Sequence, residues 1–361
     1  MGEVLEVNVE QISNKLLSWY SSHFRPLPWR SDPTPYHIWI SEIMLQQTRI
    51  EAVLPYYDRF ITALPTIKAL AEVPQEQLLK LWEGLGYYSR ARNLQKTAQI
   101  LMQEYDGKIP ADYERILALP GIGPYTAGAI ASIAFSIPVP AVDGNVMRVL
   151  SRLTGDATDV LSTAGKKTFT DLAWQLVPEQ NPGRFNQALM ELGERVCLPN
   201  TTPKCEICPL RDECVAFREG TTTALPVRIK KTKRRLEKRQ VVVAITGENP
   251  PRLLIHQREN SGLLASLWEL PNALSDNPLD ALPTELQEGC IPISELPSGK
   301  HLFSHIEWQM SGWLYHIPLL ATLPNGYALA DYTALQKGFP LPGAFRHFAK
   351  LFPKLLNKEQ T

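Results

Sequence analysis

No stretch of the 361-residue sequence comes near 18 consecutive apolar residues, so no membrane-spanning helix is expected. The first residues, MGEVLEVNVEQ, are acidic instead of basic-then-apolar, which speaks against a secretory signal and leads us to expect an intracellular, cytoplasmic protein. Net charge is also lacking: 37 lysines and arginines meet 37 aspartates and glutamates. A uniformly cationic coat for nucleic acid is thereby excluded, and affinity for a polyanion has to come from a local patch or from backbone donors. Internal repeats are missing too. Cysteine is scarce, five in all, yet four fall between Cys197 and Cys214. In a reducing compartment such clustering points to metal ligation and not to disulfides. Cys290 stands apart and reads as a small buried apolar residue.

What is present supports more than one core at this length. From about residue 8 to 217 apolar residues recur at helical spacing, as in Ile40, Ile43, Met44, Ile50, Val53, Leu54 and Tyr57, which predicts an all-α domain over residues 1–220. Residues 228–239, RIKKTKRRLEKR, hold eight basic residues against one acidic. With the preceding TTTALPV they read as a basic linker over 221–239, part solvated spacer and part nucleic-acid clamp, and nothing in the residues names a protein partner. Beyond it QVVVAIT and RLLIHQR have the β-branched character of strands, and GAFRHFAKLFPKLL is helix-like, so residues 240–361 are expected to form an α+β domain.

Three motifs carry chemistry. The spacing C-x7-C-x2-C-x5-C over 197–214 lets Cys197, Cys205, Cys208 and Cys214 converge on one centre, either a cubic iron–sulfur cluster or a zinc ion. In LPGIGPYTAGAIASIAF, Pro120, Gly121, Gly123 and Pro124 force a tight turn between two helical segments and free backbone N–H groups at the next helix start, a phosphate grip that needs no basic side chain. Taken alone, such a turn is more often a plain helix connector. Downstream, Asp143 in VDGNVMRVL is either a helix cap or a carboxylate with a task.

Together these motifs, with FNQALMELGERVCLPNTTPKCEICPLRDEC around the cysteines, resemble the endonuclease III and adenine DNA glycosylase superfamily of helix-hairpin-helix glycosylases. The segment WISEIMLQQTRIEAVLPYYDRF resembles the adenine glycosylase pattern within it. The resemblance implies that the four cysteines hold a [4Fe–4S] cluster fixing a DNA-contacting loop, although seven residues separate Cys197 from Cys205 where six are usual. Lys204 and Arg211 in that loop read equally as phosphate contacts and as ordinary solvated charges. Bifunctional members carry a lysine after the hairpin proline; here it is Tyr125, whose phenol cannot form a Schiff base, so a monofunctional enzyme is implied. Lys108 and Lys166 read as surface residues.

Cleaving the N-glycosidic bond of adenine calls for an acid at the base and an anion near the sugar, the two-carboxylate logic of glycoside hydrolysis. By resemblance Glu42 protonates adenine and handles the water, Asp143 stabilises or captures the cation, and Tyr125 and Asn145 orient them. Burial is expected to raise the pKa of Glu42. Arg25, Leu27, Trp29 and Arg30 in RPLPWR, with Gln187, would form the adenine pocket. Gln46, Gln47, Thr48, Leu85, Tyr87, Gly121 and Gly123 would grip or wedge the duplex while the base is flipped.

After the linker, LLIHQRENSGLLASLWELPN resembles the Nudix-like C-terminal domain of adenine glycosylases. SDNPLDALPTELQEG lacks the R-E-x-x-E-E glutamate cluster that holds magnesium, so hydrolase activity is not expected. In HLFSHIEWQMSGW, Phe303, Ser304 and His305 match the family's lesion-reading loop and offer donors and acceptors to the altered edge of 8-oxoguanine. The expectation is therefore a monomeric glycosylase acting on 8-oxoguanine:adenine mispairs in double-stranded DNA. Its rivals are an endonuclease III-type glycosylase/lyase, a mismatch thymine glycosylase and a non-enzymatic iron–sulfur DNA-binding protein.

Overall fold

The computed structural model describes residues 9–229, 234–320 and 322–356. Among them, no helix is long and apolar enough to cross a membrane. The chain forms two compact units, one from the chain up to Glu72 and from Asn93 to the basic stretch, the other from Val73–Arg92 and the chain after that stretch.

Among the described residues thirteen α-helices precede the first strand: α1 Val9–His23, α2 Pro28–Ser31, α3 Pro35–Leu45, α4 Ile50–Ala63, α5 Ile67–Glu72, α6 Gln75–Leu81, α7 Ser89–Glu104, α8 Tyr113–Leu117, α9 Pro124–Phe135, α10 Gly144–Thr154, α11 Thr163–Leu176, α12 Pro182–Arg195 and α13 Val215–Arg218. Prolines start several of them (α2, α3, α9, α12), where the missing N–H is one that a helix leaves unpaired in any case. Caps fix other starts: Asp112 accepts from Arg115 N at α8, Ser162 from Gly165 N at α11, and Asp143 from Asn145 N and Val146 N at α10. One core of the helical unit joins α1, α10, α11 and α12 through Ile12, Leu16, Leu150, Phe169, Phe185 and Leu189.

The hairpin between α8 and α9 depends on Gly121, which adopts φ +75°; an added Cβ there would lie 2.6 Å from the Cβ of Asn93. Thr97 Oγ1 donates to Pro120 O at 2.9 Å and pins the turn.

The second unit is a mixed seven-stranded sheet: β1 Arg235–Thr246, β2 Leu253–Gln257, β3 Trp268–Glu269, β4 Asn272–Ala273, β5 Ile291–Leu302, β6 Ile306–Ile317 and β7 Tyr327–Ala330. Its order is β3-β2-β1-β6-β5, with β4 also pairing β1 and β7 pairing β2. β1 and β6 run parallel in register from Arg235 opposite Ile306 to Thr246 opposite Ile317. Both faces of β1 are covered, Val241, Val243 and Ile245 by one core and Val242 and Ala244 by the other, which explains an unbroken apolar run where a half-exposed strand would alternate. Four short helices complete the unit: α14 Thr284–Gln287, α15 Tyr332–Lys337, α16 Arg346–Ala349 and α17 Phe352–Leu356.

Three expectations need correction. The basic stretch is not a spacer throughout: residues 230–233 lie outside the described residues, but Val227 O accepts from Val160 N in the helical unit, and β1 already begins at Arg235. The acid within the run accounts for it. Glu237 is buried, takes hydrogen bonds from Arg235, Arg239 and the Trp308 indole, and so neutralises its neighbours inside a paired strand. The helical half is also not one piece. Val73–Arg92, with α6, folds with the sheet: Lys80 Nζ donates to Leu335 O and Phe339 O, Trp268 Nε1 to Glu76, and Leu341 N to Glu83. Cys290 is half-buried, not fully buried, and its thiol donates to Leu286 O.

Candidate active site

Eight of the eleven residues of α3 are buried, and they carry Glu42 inward with them, leaving it 5% exposed. It borders a cavity of about 420 Å3 in the helical unit, lined also by Tyr125 from α9, Asp143 and Asn145 at the start of α10, and residues of α1, α2 and α12. Tyr125 Oη donates to Glu42 Oε2 at 2.6 Å, with Met190 Sδ 3.3 Å from the same hydroxyl. With Oε2 accepting, a proton on Glu42 is left to Oε1.

Burial is the main reason the Glu42 carboxyl is pushed up to about 7; the Asp143 charge adds to this, while the Tyr125 hydrogen bond and the Arg30 charge oppose it. The Tyr125 phenol is raised well above its ordinary value by burial and by the two carboxylates, so it keeps its proton and stays a donor.

Asp143 is reached through a short extended segment that buried Asn186 fixes: its Oδ1 accepts from Ala141 N at 3.0 Å, and its Nδ2 donates to Val139 O and Ser132 Oγ, each at 2.9 Å. Asp143 Oδ1 accepts from Asn145 N and Val146 N, and Oδ2 from Asn145 Nδ2, all at 2.8 Å. Burial raises its pKa against those hydrogen bonds. Asn145 is itself held, its Oδ1 accepting from Arg148 Nη2 at 2.8 Å, and Arg148 Nε donates to Cys197 O at 2.8 Å.

Of the residues expected around adenine, Leu27, Trp29, Arg30 and Gln187 line this cavity, as does Thr48 from the duplex-gripping set. Trp29 packs edge-on against Tyr57, and Gln187 Oε1 accepts from Tyr20 Oη at 2.9 Å, leaving the Gln187 amide as donor. Arg25 does not line it. Its guanidinium turns to Glu191 and Glu194, which lie in the segment before the cysteines but were not singled out in the sequence. Gln46 donates to Thr126 Oγ1 at 3.1 Å, and Gln47 sits at φ 60° in the turn after α3. Gly121 and Gly123 occupy the hairpin, Gly123 as the residue before the first turn of α9.

The four clustered cysteines form no disulfide and line one small cavity with Arg152 and Arg211. Arg152 Nη1 lies 3.2 Å from Cys197 Sγ. Burial and mutual repulsion raise the thiols of Cys205, Cys208 and Cys214, that of Cys208 to about 12. Lys204 is exposed, and Arg211 pairs with Glu206 and Asp212.

In the second unit Phe303, Ser304 and His305 form the turn between β5 and β6. Phe303 is half-buried against Trp308 at 4.9 Å, while Ser304 and His305 are exposed. Tyr87 Oη lies 3.1 Å from Ser304 Oγ, so Val73–Arg92 brings the expected wedge to the expected lesion reader. Arg234 Nε donates to Phe303 O at 3.0 Å and Arg235 N to His305 O at 2.9 Å, which ties the end of the basic stretch to the same turn. Leu85, expected to face the duplex, is buried.

A family model described as "HhH-GPD superfamily base excision DNA repair protein" matches residues 40–179, and one described as "NUDIX domain" matches residues 241–351. The chain is 37% identical over 358 residues to the adenine DNA glycosylase of Mus musculus, covering 83% of this chain and 69% of that protein. It is 36% identical over 320 residues to that of Buchnera aphidicola subsp. Schizaphis graminum, covering 86% and 87%. Among solved structures, a thermostable thymine-DNA glycosylase superposes with a TM-score of 0.53 at 29% identity, covering 58% of this chain and 97% of that one. That likeness stops short of the full chain, whereas the relatives above match most of it. The extent of that match, together with a helical repair fold followed by a Nudix-like unit, shows that this chain belongs to the adenine DNA glycosylase family.

Proposed function

We propose that the protein removes adenine paired with 8-oxoguanine, and also with guanine, from double-stranded DNA by hydrolysing the N-glycosidic bond, without cutting the strand. The observation that carries this reading is Glu42: a buried carboxyl held up to about 7 in a cavity shared with a second buried carboxyl, Asp143. An acid poised near neutral pH protonates the departing base, and a nearby anion stabilises the oxocarbenium character left on the sugar. Tyr125 keeps the Glu42 proton on the oxygen away from itself; Asn145 holds Asp143. Leu27, Trp29, Arg30 and Gln187 enclose the base. With Tyr125 where a lyase carries its amine, no covalent imine forms. The Gly121–Gly123 hairpin at the start of α9 meets backbone phosphate, as a chain of zero net charge requires. Ser304 and His305, backed by Phe303 and met by Tyr87, read the oxidised base.

The donor set fits a [4Fe–4S] cluster. Four soft thiols, the ligand type such a cluster takes, line one cavity. When bound, the cluster supplies structural bracing of the 197–214 loop. A monomer in the cytoplasm, on chromosomal DNA, follows from this reading.

Duplexes carrying adenine opposite 8-oxoguanine, adenine opposite guanine and thymine opposite guanine, followed by alkali, test the assignment. Release of adenine from the first two is expected, and release of thymine alone would overturn it. Borohydride should trap no protein–DNA adduct; a trapped adduct would favour the lyase reading.

A further inference from the structure

One side of α12 faces the cavity through Gly183, Gln187, Met190, Glu191 and Glu194, spaced as one helical face requires. Glu191 is 1% exposed. Its Oε1 accepts from Arg25 Nε at 2.6 Å, and its Oε2 from Arg30 Nη2 at 2.9 Å and Arg25 Nη2 at 3.1 Å. Burial works to raise this carboxyl, and Arg25 and Arg30 more than offset that, holding it below its ordinary value. Arg30 is further restrained by Nη1 donating to Arg25 O at 3.2 Å and by the Tyr20 ring, 5.7 Å from its guanidinium carbon. Across the same cavity stands Glu42.

The groups that act on Glu42 come from three elements: Tyr125 on α9 and Arg30 on α2 favour its anion, and Asp143 at the start of α10 disfavours it. Arg184 and Glu194 on α12 and Tyr20 on α1 complete the ionisable lining, Glu194 pairing with Arg25. A guanidinium with no compensating carboxylate at this site would pull the Glu42 proton off; one already paired does so less.

We propose that Glu191 is a positioning residue for base excision, which fixes Arg30 in the wall of the base cavity and compensates its charge so that Glu42 keeps its proton at neutral pH. The inference rests on Glu42 being the acid, as proposed above. Glutamine at position 191 keeps the shape and one acceptor but sets no charge against three guanidinium groups, those of Arg25, Arg30 and, at 3.6 Å, Arg195. Removing the charge of Arg30 has the opposite sign.

The test is single-turnover excision of adenine opposite 8-oxoguanine between about pH 5.5 and 9, where the fall on the alkaline side reports loss of the acid's proton. Glu191→Gln is expected to move that midpoint to lower pH, with about a tenfold loss of rate above it for each unit moved. Arg30→Met should move it to higher pH, and the double variant should lie between. A Glu191→Gln protein that loses rate equally at every pH, midpoint unmoved, overturns the inference, since bracing alone would do that. If Glu191→Gln does not fold, Arg30→Met decides: a midpoint that stays or falls overturns it. An alkaline limb that persists in Glu42→Gln removes the acid assignment and this inference with it, whereas a limb lost in Glu42→Gln but unmoved in Glu191→Gln overturns this inference alone.

Discussion

Glu42 pits stability against chemistry. Its carboxyl titrates near 7 when folded and near the ordinary 4.5 when unfolded. Below pH 4.5 it is neutral in both states. As pH rises through the interval the unfolded chain ionises first, so stability is lost, reaching about 3 kcal/mol above pH 7. Glu42→Gln is therefore expected to melt higher than the parent at pH 8 and close to it at pH 4, while excision falls by about 10²- to 10⁴-fold. Equal melting differences at both pH values would show that burial does not strain this group. Asp143 separates the two effects differently, because it caps α10 as well as lining the cavity. Asp143→Asn keeps the oxygen that caps Asn145 N and Val146 N and should lose excision at a smaller cost in melting than Asp143→Ala, which should lose excision and about 1 kcal/mol of stability besides. Chemical denaturation of the two variants beside single-turnover rates checks this. Glu42, Tyr125 and Asp143 were legible because each sits in a motif whose neighbours are distinctive. Glu191 was not: it too lies in a quoted segment, but nothing beside it there calls for an acid, and its meaning comes from Arg25 and Arg30 more than 160 residues away.

Among the elements, α10 and α12 set the placement of Asp143, and one small residue lets them meet. A Cβ at Gly193 would stand 2.7 Å from the Cβ of Asn145. Gly193→Ala is therefore expected to push α10 away by its first turn, shift the partner of Asp143, and lower excision by tenfold or more, although residue 193 touches no substrate. Activity near that of the parent would show that the two helices tolerate the shift. The hairpin before α9 was legible from its prolines and glycines alone, because the turn needs residues of that type. β1 was only half legible. Its apolar end declares a strand, but Arg235–Arg239 look like a solvated run until β6 supplies a parallel ladder and Trp308 and the arginines supply partners for Glu237. Pairing between distant segments overrides local composition there.

For the whole chain, the division into an α-rich and a sheet-containing part was readable from periodicity, but the route of the backbone between them was not, since α6 has the same helical pattern as its neighbours. A fragment that stops at the basic stretch keeps Val73–Arg92 without the sheet it folds with. Such a fragment should melt below the full chain, since Glu76, Lys80 and Glu83 lose their partners Trp268, Leu335, Phe339 and Leu341. Thermal melts compare the two, and equal melting would mean that the segment finds a home elsewhere. The same routing bears on synthesis. The ribosome makes Arg92 about 140 residues before the sheet begins at Arg235. At about 5–20 residues per second, α6 and the loop bearing Tyr87 therefore wait on the order of ten seconds for the strands they will join. Growing chains of this protein should accordingly be chaperone clients in midsynthesis, and slowing translation after codon 92 should lower the yield of folded enzyme.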